Sequence, residues 1–389
     1  MDQSIRYGMV GGGPDALIGD VHRMAARLQG NINLVAGSFS SDAEKSRQFG
    51  LQLNLNEDRL YDSYRQMAEQ ESQLPSDERI DFVTVATPNH LHFDVCKAFI
   101  EAGINVVCDK PMTNTIEEAE ELCRLVEKHD TIFALTHNYS GYPMVKEARE
   151  LVSSGKLGNL RKVVVEYSQG WLSQPIEEEG NKQAAWRTDP DKAGVSSVIA
   201  DIGSHAEHLV EYITGLKIQQ LYADINTFVE GRDLEDDANM LIHYEQGVRG
   251  VLISSQISIG EENGLHIRLY GDEASLEWKQ EDPNYLHLKY PDGPEEIYKK
   301  GNPYLSAVSY QNTRIPPGHP EGFIGAFANI YASVAEAIKA DKRGEQVNSN
   351  DYDFPMVHDG LTGVRFIHKA VESGKKKSWV AMKDSVTED

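Results

Sequence analysis

The sequence is short of positive charge: 38 lysines and arginines stand against 61 aspartates and glutamates in 389 residues, a formal net charge of −23. Nucleic-acid binders need basic stripes that release counterions from phosphate, so a polyanionic partner is excluded. The one basic block, Lys375-Lys376-Lys377, reads as a solvated helix end. Cysteine is scarce as well. Cys96, Cys108 and Cys123 are odd in number and lack metal-ligand spacing, which excludes a disulfide framework and suits a reducing compartment. Long apolar runs are missing: Val83 to Ala86 and Ile104 to Cys108 are strand-sized, far below the roughly 20 residues needed to span a bilayer. The start, Met1-Asp2-Gln3-Ser4-Ile5-Arg6, has no basic segment followed by an apolar one, so a cytoplasmic location is expected. Internal repeats and low-complexity tracts are also lacking. What remains is ordinary globular material, 40% hydrophobic and 25% charged with 32 glycines, and its length suggests about two or three domains.

Up to residue 137, short β-branched runs alternate with segments of helical period, the rhythm of a parallel sheet with crossover helices. Strands are expected at Ile5 to Val10, Ile32 to Gly37, Phe82 to Ala86, Ile104 to Cys108 and Ile132 to Leu135. Ser41 with Glu44, and Thr115 with Glu118, have the spacing of capping boxes at helix starts. Beyond residue 137 the rhythm changes. A helix at about Val145 to Ser153 precedes the run Leu160 to Trp171, a Gly/Asp/Pro-rich loop and a helical stretch around His205 to Tyr212. Strands then follow one another, including Val248 to Ile257, His266 to Tyr270 and Ser275 to Trp278, separated by Asn-Gly or Gly-Asp turns as in hairpins. Two late helices lie near Phe323 to Ala340 and His358 to Ser373. The expected architecture is α/β: a doubly wound parallel domain over 1–137, then an α+β domain over 138–389 on a large, mostly antiparallel open sheet. The C-terminal helices are free to pack back on the first domain. A sheet face left uncovered by its own helices would expose apolar surface, so a homodimer or homotetramer is expected.

Directly after the first strand comes Gly11-Gly12-Gly13-Pro14-Asp15-Ala16-Leu17-Ile18-Gly19, opening into a helical stretch. Glycines let the backbone approach a pyrophosphate, whose charge is held by amides and the helix dipole. Gly11 and Gly13 fit the first two glycines of the dinucleotide fingerprint. Gly19 arrives three residues late, so Pro14-Asp15-Ala16 reads as an insertion in the turn. The second strand ends Ser38-Phe39-Ser40-Ser41, with no acid to take the adenosine ribose 2′-hydroxyl, and Arg47 lies more than a helical turn beyond. The choice between NAD and NADP stays open, the small hydroxyls leaning towards NADP because they leave room for a 2′-phosphate.

Thr87-Pro88-Asn89-His90-Leu91-His92 and Cys108-Asp109-Lys110-Pro111 each follow a strand at the carboxyl edge, where such sheets bind ligands. The two histidines have no Asp, Glu or Cys in ligand spacing, and no metal is expected. Lys110 is a candidate functional ammonium. Further on stand Trp186-Arg187 with Asp189-Pro190, then Asp201-Ile202-Gly203-Ser204-His205. Asp201 and His205 are four apart, on one face of a helix, so the carboxylate can orient the imidazole.

Taken in order, these pieces resemble the Gfo/Idh/MocA family of NAD(P)-dependent oxidoreductases, the glucose-fructose oxidoreductase and inositol dehydrogenase type. The resemblance rests on the glycine turn with Ile18-Gly19 and His22, Thr87-Pro88-Asn89 with His92, Asp109-Lys110-Pro111, Asn138, Trp186-Arg187 with Asp189-Pro190, and Asp201 with Gly203 and His205. It implies a Rossmann domain, and a catalytic group of Lys110, Asp201 and His205. It also implies cofactor contacts from Gly11, Gly13, Ile18, Gly19, Ser38, Ser40, Ser41, Thr87, Pro88, Asn89, His92, Asp109, Lys110, Asn138, Trp186 and Arg187. Asp109 replaces the family's usual glutamate, and Val195-Ser196-Ser197 stands where glycines are common.

The implied reaction oxidises a secondary hydroxyl of a sugar or polyol by hydride transfer to nicotinamide. His205 would accept the hydroxyl proton, Lys110 stabilise the alkoxide and Asp201 tune both, or Lys110 and His205 exchange roles. Substrate contacts are expected from Lys110, Asn138, Trp171, Trp186, Arg187, Asp201, His205 and His319, with tryptophan faces suited to sugar rings. No basic cluster suggests a phosphate clamp, which points to an unphosphorylated sugar, inositol or anhydrosugar. Two rival readings remain: a glycosidase using transient oxidation and elimination, and a non-catalytic nucleotide-dependent sensor.

Overall fold

Five short β-branched runs become the parallel strands β1 (Ile5–Gly11), β2 (Ile32–Ser38), β3 (Phe82–Ala86), β4 (Asn105–Cys108) and β5 (Phe133–Leu135). Their order is β2-β1-β3-β4-β5, so the winding reverses between β1 and β3, and ligands of such sheets bind outside the carboxyl ends at that reversal. The computed structural model describes residues 4–14, 16–347 and 351–383. It divides into two units, Met1–Gly141 with Phe323–Leu361 and Tyr142–Gly322 with Thr362–Asp389.

In the first unit the crossovers are α1 (Leu17–Leu28), α2 (Ala43–Gln52), α3 (Tyr64–Gln73), α4 (His92–Glu101) and α5 (Ile116–His129). Thr115 and Glu118 form the expected reciprocal capping box on α5. The expected box at Ser41 and Glu44 does not form. Asp42 caps α2 instead, accepting from Lys45 N at 3.1 Å, because Glu44 is taken by Gln48 Nε2 at 2.8 Å one turn on. The core of this unit is completed from far along the chain: Phe327, Tyr331 and Val334 on the helix Phe323–Lys342 join Ile5, Tyr7, Val21, Ala25 and Phe82 in one buried cluster.

The second unit contains α6 (Pro143–Ser153), β6 (Leu160–Ser168), α7 (Lys182–Arg187), α8 (Pro190–Ala193), a π-helical turn at Ile199–Gly203 and α9 (Ser204–Thr214). Strands β7 (Ile218–Asn226), β8 (Asp237–Tyr244), β9 (Arg249–Ser255), β10 (Gly264–Gly271), β11 (Ser275–Lys279), β12 (Tyr285–Lys289) and β13 (Glu296–Lys299) follow. The chain then runs through α10 (Ala307–Gln311), α11 (Phe323–Lys342) and α12 (Val357–Lys376) to β14 (Val380–Ala381). The nine strands order as β13-β12-β11-β10-β6-β9-β8-β7-β14. Every pairing is antiparallel except β6 with β9.

Strand alternation sorts this sheet into two faces. Val163, Val165, Tyr167, Leu252, Leu265, Ile267, Leu269, Leu276 and Trp278 are buried on the side that α6 and α9 cover. The opposite face carries an apolar row in its middle, where Val164, Val251, Leu241 and Tyr222 pair across β6, β9, β8 and β7. Towards β12 it carries an ion ladder rather than the apolar surface expected. His266 lies 3.0 Å from Glu166 and 2.9 Å from Glu277, Lys289 pairs with Glu277, and His287 with Glu295. Among the described residues no helix is long and apolar enough to cross a membrane.

Candidate active site

At the carboxyl edge of the first unit, β1 runs into Gly11 and Gly12, whose φ angles of 79° and 63° favour glycine. Gly12 N donates to Ala86 O at 3.0 Å, which ties the turn to the end of β3. A methyl group on Gly13 would stand 2.5 Å from Phe39 O, and one on Gly19 would overlap the Gly12 main chain. Gly19 therefore does the packing task of the third fingerprint glycine although it arrives late: it lets α1 lie against the turn. Ala16 begins α1 without a side-chain cap, so the helix start offers its dipole and first-turn amides to an anion. Ile18, on that first turn, is half-buried and packs against two core clusters, one with Tyr7 and Val21 and the other with Met9 and Phe39. Two buried polar atoms past the carboxyl ends of β3 and β5, Thr87 Oγ1 and Asn138 Nδ2, have no hydrogen-bond partner among the described residues. A close-approach turn, an uncapped helix start and these two atoms together fit a dinucleotide.

At the end of β2, Ser38 is buried, Ser40 is half-buried with its Oγ 3.2 Å from Asp42 N, and Ser41 is exposed. Arg47 is engaged by Glu57 at 2.7 Å. Past β3, Pro88 is exposed, Asn89 is buried and His92 opens α4 fully buried. His92 Nδ1 lies 2.8 Å from Pro111 O and Nε2 2.9 Å from Thr87 O. Burial lowers its pKa, against the opposing pull of Asp109, so the neutral ring donates to one of two carbonyls and joins the loops that follow β3 and β4. The His92 side chain is thus committed to the main chain, and its influence on a cofactor runs through those loops. Asp109 Oδ1 accepts from Lys110 N and from Thr136 Oγ1, each at 2.9 Å; the shorter acid suits this local role. Lys110 is half-buried. His22 is buried beneath the turn with Nδ1 2.8 Å from Tyr331 Oη, itself 3.0 Å from Thr84 Oγ1, and burial lowers its pKa.

In the second unit, Asp201 sits in the π-helical turn that leads into α9. Such turns widen a helix by one residue and recur at functional sites. Gly203 brings the turn close to β9: a methyl there would lie 3.2 Å from Ser254 Oγ. Asp201 Oδ2 accepts from Arg187 Nε and from Gln256 Nε2, both at 2.9 Å. The guanidinium carbon of Arg187 lies 4.1 Å from the Trp186 ring centre and 5.6 Å from that of Trp171, and Nη1 donates to Gln183 O and Oε1. Trp171 Nε1 donates to Gln169 Oε1 at 2.9 Å, and Gln169 accepts in turn from Gln256. His205, one turn beyond Asp201, is 7% exposed with its ring centre 6.4 Å from that of Tyr167.

The fold thus brings Trp171, Trp186, Arg187 and Asp201 into one network. His319 is no part of it: the exposed ring lies 3.3 Å from Pro316 O and Pro317 O of its own loop. Gln169 and Gln256, which complete the network, escape a reading of the sequence. Each directly follows a strand as an ordinary polar residue, and only the parallel β6–β9 pairing makes them neighbours.

Residues 5–137 match the oxidoreductase family with an NAD-binding Rossmann fold, and residues 145–277 match the GFO/IDH/MocA C-terminal domain. The chain is 35% identical to the uncharacterized oxidoreductase YfiI of Bacillus subtilis (strain 168) over 98% of both proteins. An inositol dehydrogenase homolog from Azotobacter vinelandii, crystallised with NAD+, is similar at a TM-score of 0.94 and 38% identity over 97% of each chain. An inositol dehydrogenase homolog from Azotobacter vinelandii crystallised with NADH and myo-inositol is similar at a TM-score of 0.91 and 37% identity, covering 97% of this chain and 98% of that one. On this fold, these motifs and these relatives, the chain belongs to the Gfo/Idh/MocA family of NAD(P)-dependent oxidoreductases.

Proposed function

We propose that the chain oxidises a secondary hydroxyl of an unphosphorylated sugar, inositol or anhydrosugar. The observation that carries this reading is the Arg187–Asp201–Gln256 network beside Trp171 and Trp186. Indole faces suit the C–H face of a sugar ring. The cation beside them is occupied by Asp201 and Gln183, so it favours a neutral polyol over a phosphate ester. The Azotobacter vinelandii relative crystallised with NADH and myo-inositol supports a polyol.

A nicotinamide cofactor, when bound, supplies the hydride acceptor. His205 takes the hydroxyl proton, Lys110 donates a hydrogen bond to the alkoxide as its charge develops, and Asp201 holds the second unit's polar groups in register. Gly11, Gly13, Gly19 and the start of α1 hold the pyrophosphate, with Ser38, Thr87 and Asn138 as further cofactor contacts. We read the cofactor as NAD, because Arg47 is spent on Glu57 and the Asp42 carboxylate stands at the start of α2; the choice is decided by saturation kinetics with both cofactors. The apolar middle of the open sheet face, around Val164, Val251 and Leu241, is the surface on which we expect two copies to pair. Sedimentation as a monomer at micromolar concentration would end that expectation.

The decisive experiment is a panel of neutral sugars, inositols and anhydrosugars scanned for nicotinamide reduction. Steady accumulation of reduced cofactor with one of them is the expected result. Bond cleavage without such accumulation would mark the eliminating glycosidase instead. Cofactor binding with no turnover of any kind would mark the sensor.

A further inference from the structure

The acidic run Asp233-Leu234-Glu235-Asp236-Asp237 leads into β8, which begins at Asp237, and a solvated loop is the ordinary reading of such a run. Two of its acids are instead buried: Glu235 is 6% and Asp236 2% exposed. Glu235 Oε1 accepts from Ser196 Oγ at 2.5 Å, Ser197 N at 3.1 Å and Ile199 N at 3.2 Å. Ser196 Oγ in turn accepts from Ala200 N at 3.1 Å. Ser197 N, Ile199 N and Ala200 N are main-chain donors at the entry to the π-helical turn, where a helix start leaves amides without internal partners. Asp201, one residue beyond Ala200, donates its own N–H to Ser197 O at 2.9 Å.

The neighbouring residues grip the rest of the network. Asp236 O accepts from Gln256 N at 3.0 Å, and the Gln256 side chain is the one that donates to Asp201. Arg232, almost wholly buried, pairs with Asp236 at 3.3 Å and Glu177 at 2.7 Å and donates to Leu172 O at 2.8 Å, directly after Trp171. One short segment thus touches the main chain beside Trp171, the entry to the Asp201 turn and the strand end bearing Gln256.

We propose that Glu235, with Ser196, is a positioning residue for the dehydrogenase reaction: it sets the start of the π-helical turn and so the placement of Asp201 and His205. The Val195-Ser196-Ser197 segment, where the family commonly has glycines, is the partner that this acid requires. Neither residue need touch substrate or cofactor.

This inference rests on the dehydrogenase reading, so its test has one arm that needs activity and one that does not. Three variants of the full chain are compared with wild type: E235A, E235Q and S196A. With the sugar found active, E235A should lower kcat roughly 30–100-fold and S196A roughly 5–10-fold, with cofactor Kd within about twofold of wild type. E235Q, whose amide oxygen can accept the same bonds, should recover most of the loss, and the kcat–pH profile should move in E235A and S196A alone. In the second arm, the His205 ring cross-peak, assigned with H205N in histidine-labelled protein, should be displaced at fixed pH in E235A and S196A. Should E235A not fold, S196A carries both arms. Wild-type kcat and an unmoved His205 signal in S196A, and in E235A where it folds, would overturn the proposal while leaving the dehydrogenase intact. A displaced His205 signal in a protein that oxidises no polyol would support the positioning role and sink the dehydrogenase reading.

Discussion

In the first unit, the groups at the carboxyl edge are held by main chain next to a strand end: Gly12 on Ala86, His92 between Thr87 and Pro111, Asp109 on Lys110. In the second, Asp201 is held by side chains 14 residues before it and 55 residues after it, Arg187 and Gln256. On the proposed function, the contrast follows from what each would hold. A pyrophosphate is recognised by amides and a dipole, which need close backbone approach and little side-chain identity. A polyol is recognised by side chains in fixed directions, and these must be braced by other side chains. Substitutions that distinguish a main-chain site from a side-chain site therefore test the comparison, and the largest effect is expected at Lys110, the one side chain of the first unit to which the proposed function gives a part in the chemistry.

Lys110→Ala should lower kcat by about three orders of magnitude while NADH still binds with near wild-type affinity, as expected for a donor that acts on developing charge. Stopped-flow turnover together with fluorescence titration of NADH checks both halves. Near-normal turnover would remove Lys110 from the chemistry and leave the first unit a site of main chain alone.

Glycine substitutions sharpen the contrast one step down. Gly19→Ala drives a methyl into the Gly12 main chain, which has no rotamer to yield. We expect NAD Kd to rise roughly 10–100-fold and the melting temperature to fall, since backbone overlap in a tight site costs about 1–3 kcal/mol. Gly203→Ala meets the Ser254 side chain at 3.2 Å, which can turn aside, and should change kcat less than about fivefold. Equal losses from the two would contradict the division into main-chain and side-chain sites. Isothermal titration and initial rates measure the pair.

The same division explains what the sequence makes legible. The glycine turn, Thr87-Pro88-Asn89, Asp109-Lys110-Pro111 and the Thr115 cap are read easily because each acts within a few residues of itself. The shift of the α2 cap from Ser41 to Asp42 is the size of error such local rules allow, since both residues can accept from an amide three further on. In the second unit, Trp171, Arg187 and Asp201 are recognisable singly, by residue type. Their connection is not, because Gln256 and Glu235 join the site only through strand pairing and a buried loop. His319 shows the reverse: a histidine in a stiff proline loop looks like a ligand, yet its ring turns back on Pro316 and Pro317. Phe323–Lys342 packs back on the first unit and completes the core around β1, a placement that its apolar pattern leaves open.

Arg187 tests the side-chain half directly. Arg187→Ala removes the charge partner of Asp201 and the cation over Trp186, and should lower kcat/KM about 10–100-fold, mostly through KM if Trp171 and Trp186 hold the sugar. Arg187→Lys should recover little of it, because an ammonium cannot bond Asp201 and Gln183 at once while lying flat on an indole. A lysine variant with wild-type kcat/KM would show that charge alone suffices there, so the bracing would be looser than the geometry implies.

The smallest effect belongs to the open face of the sheet, away from any chemistry. Burial alone would raise the Glu277 carboxyl, but Lys289 and His266 outweigh it and hold its pKa at about 2. A carboxyl depressed in the folded chain stabilises fully above its unfolded value of about 4.3, and that stabilisation is lost as pH falls through about 2. Glu277→Gln should therefore melt about 2 °C below wild type at pH 6, the modest size expected of a partly exposed pair. The two melting temperatures should converge as the pH is lowered from 5 to 2.5, with turnover unchanged at neutral pH. A gap that stays constant on acidification would mean that packing, rather than the ion ladder, is what Glu277 contributes, and the charged half of this face would then have to be understood by shape instead of charge.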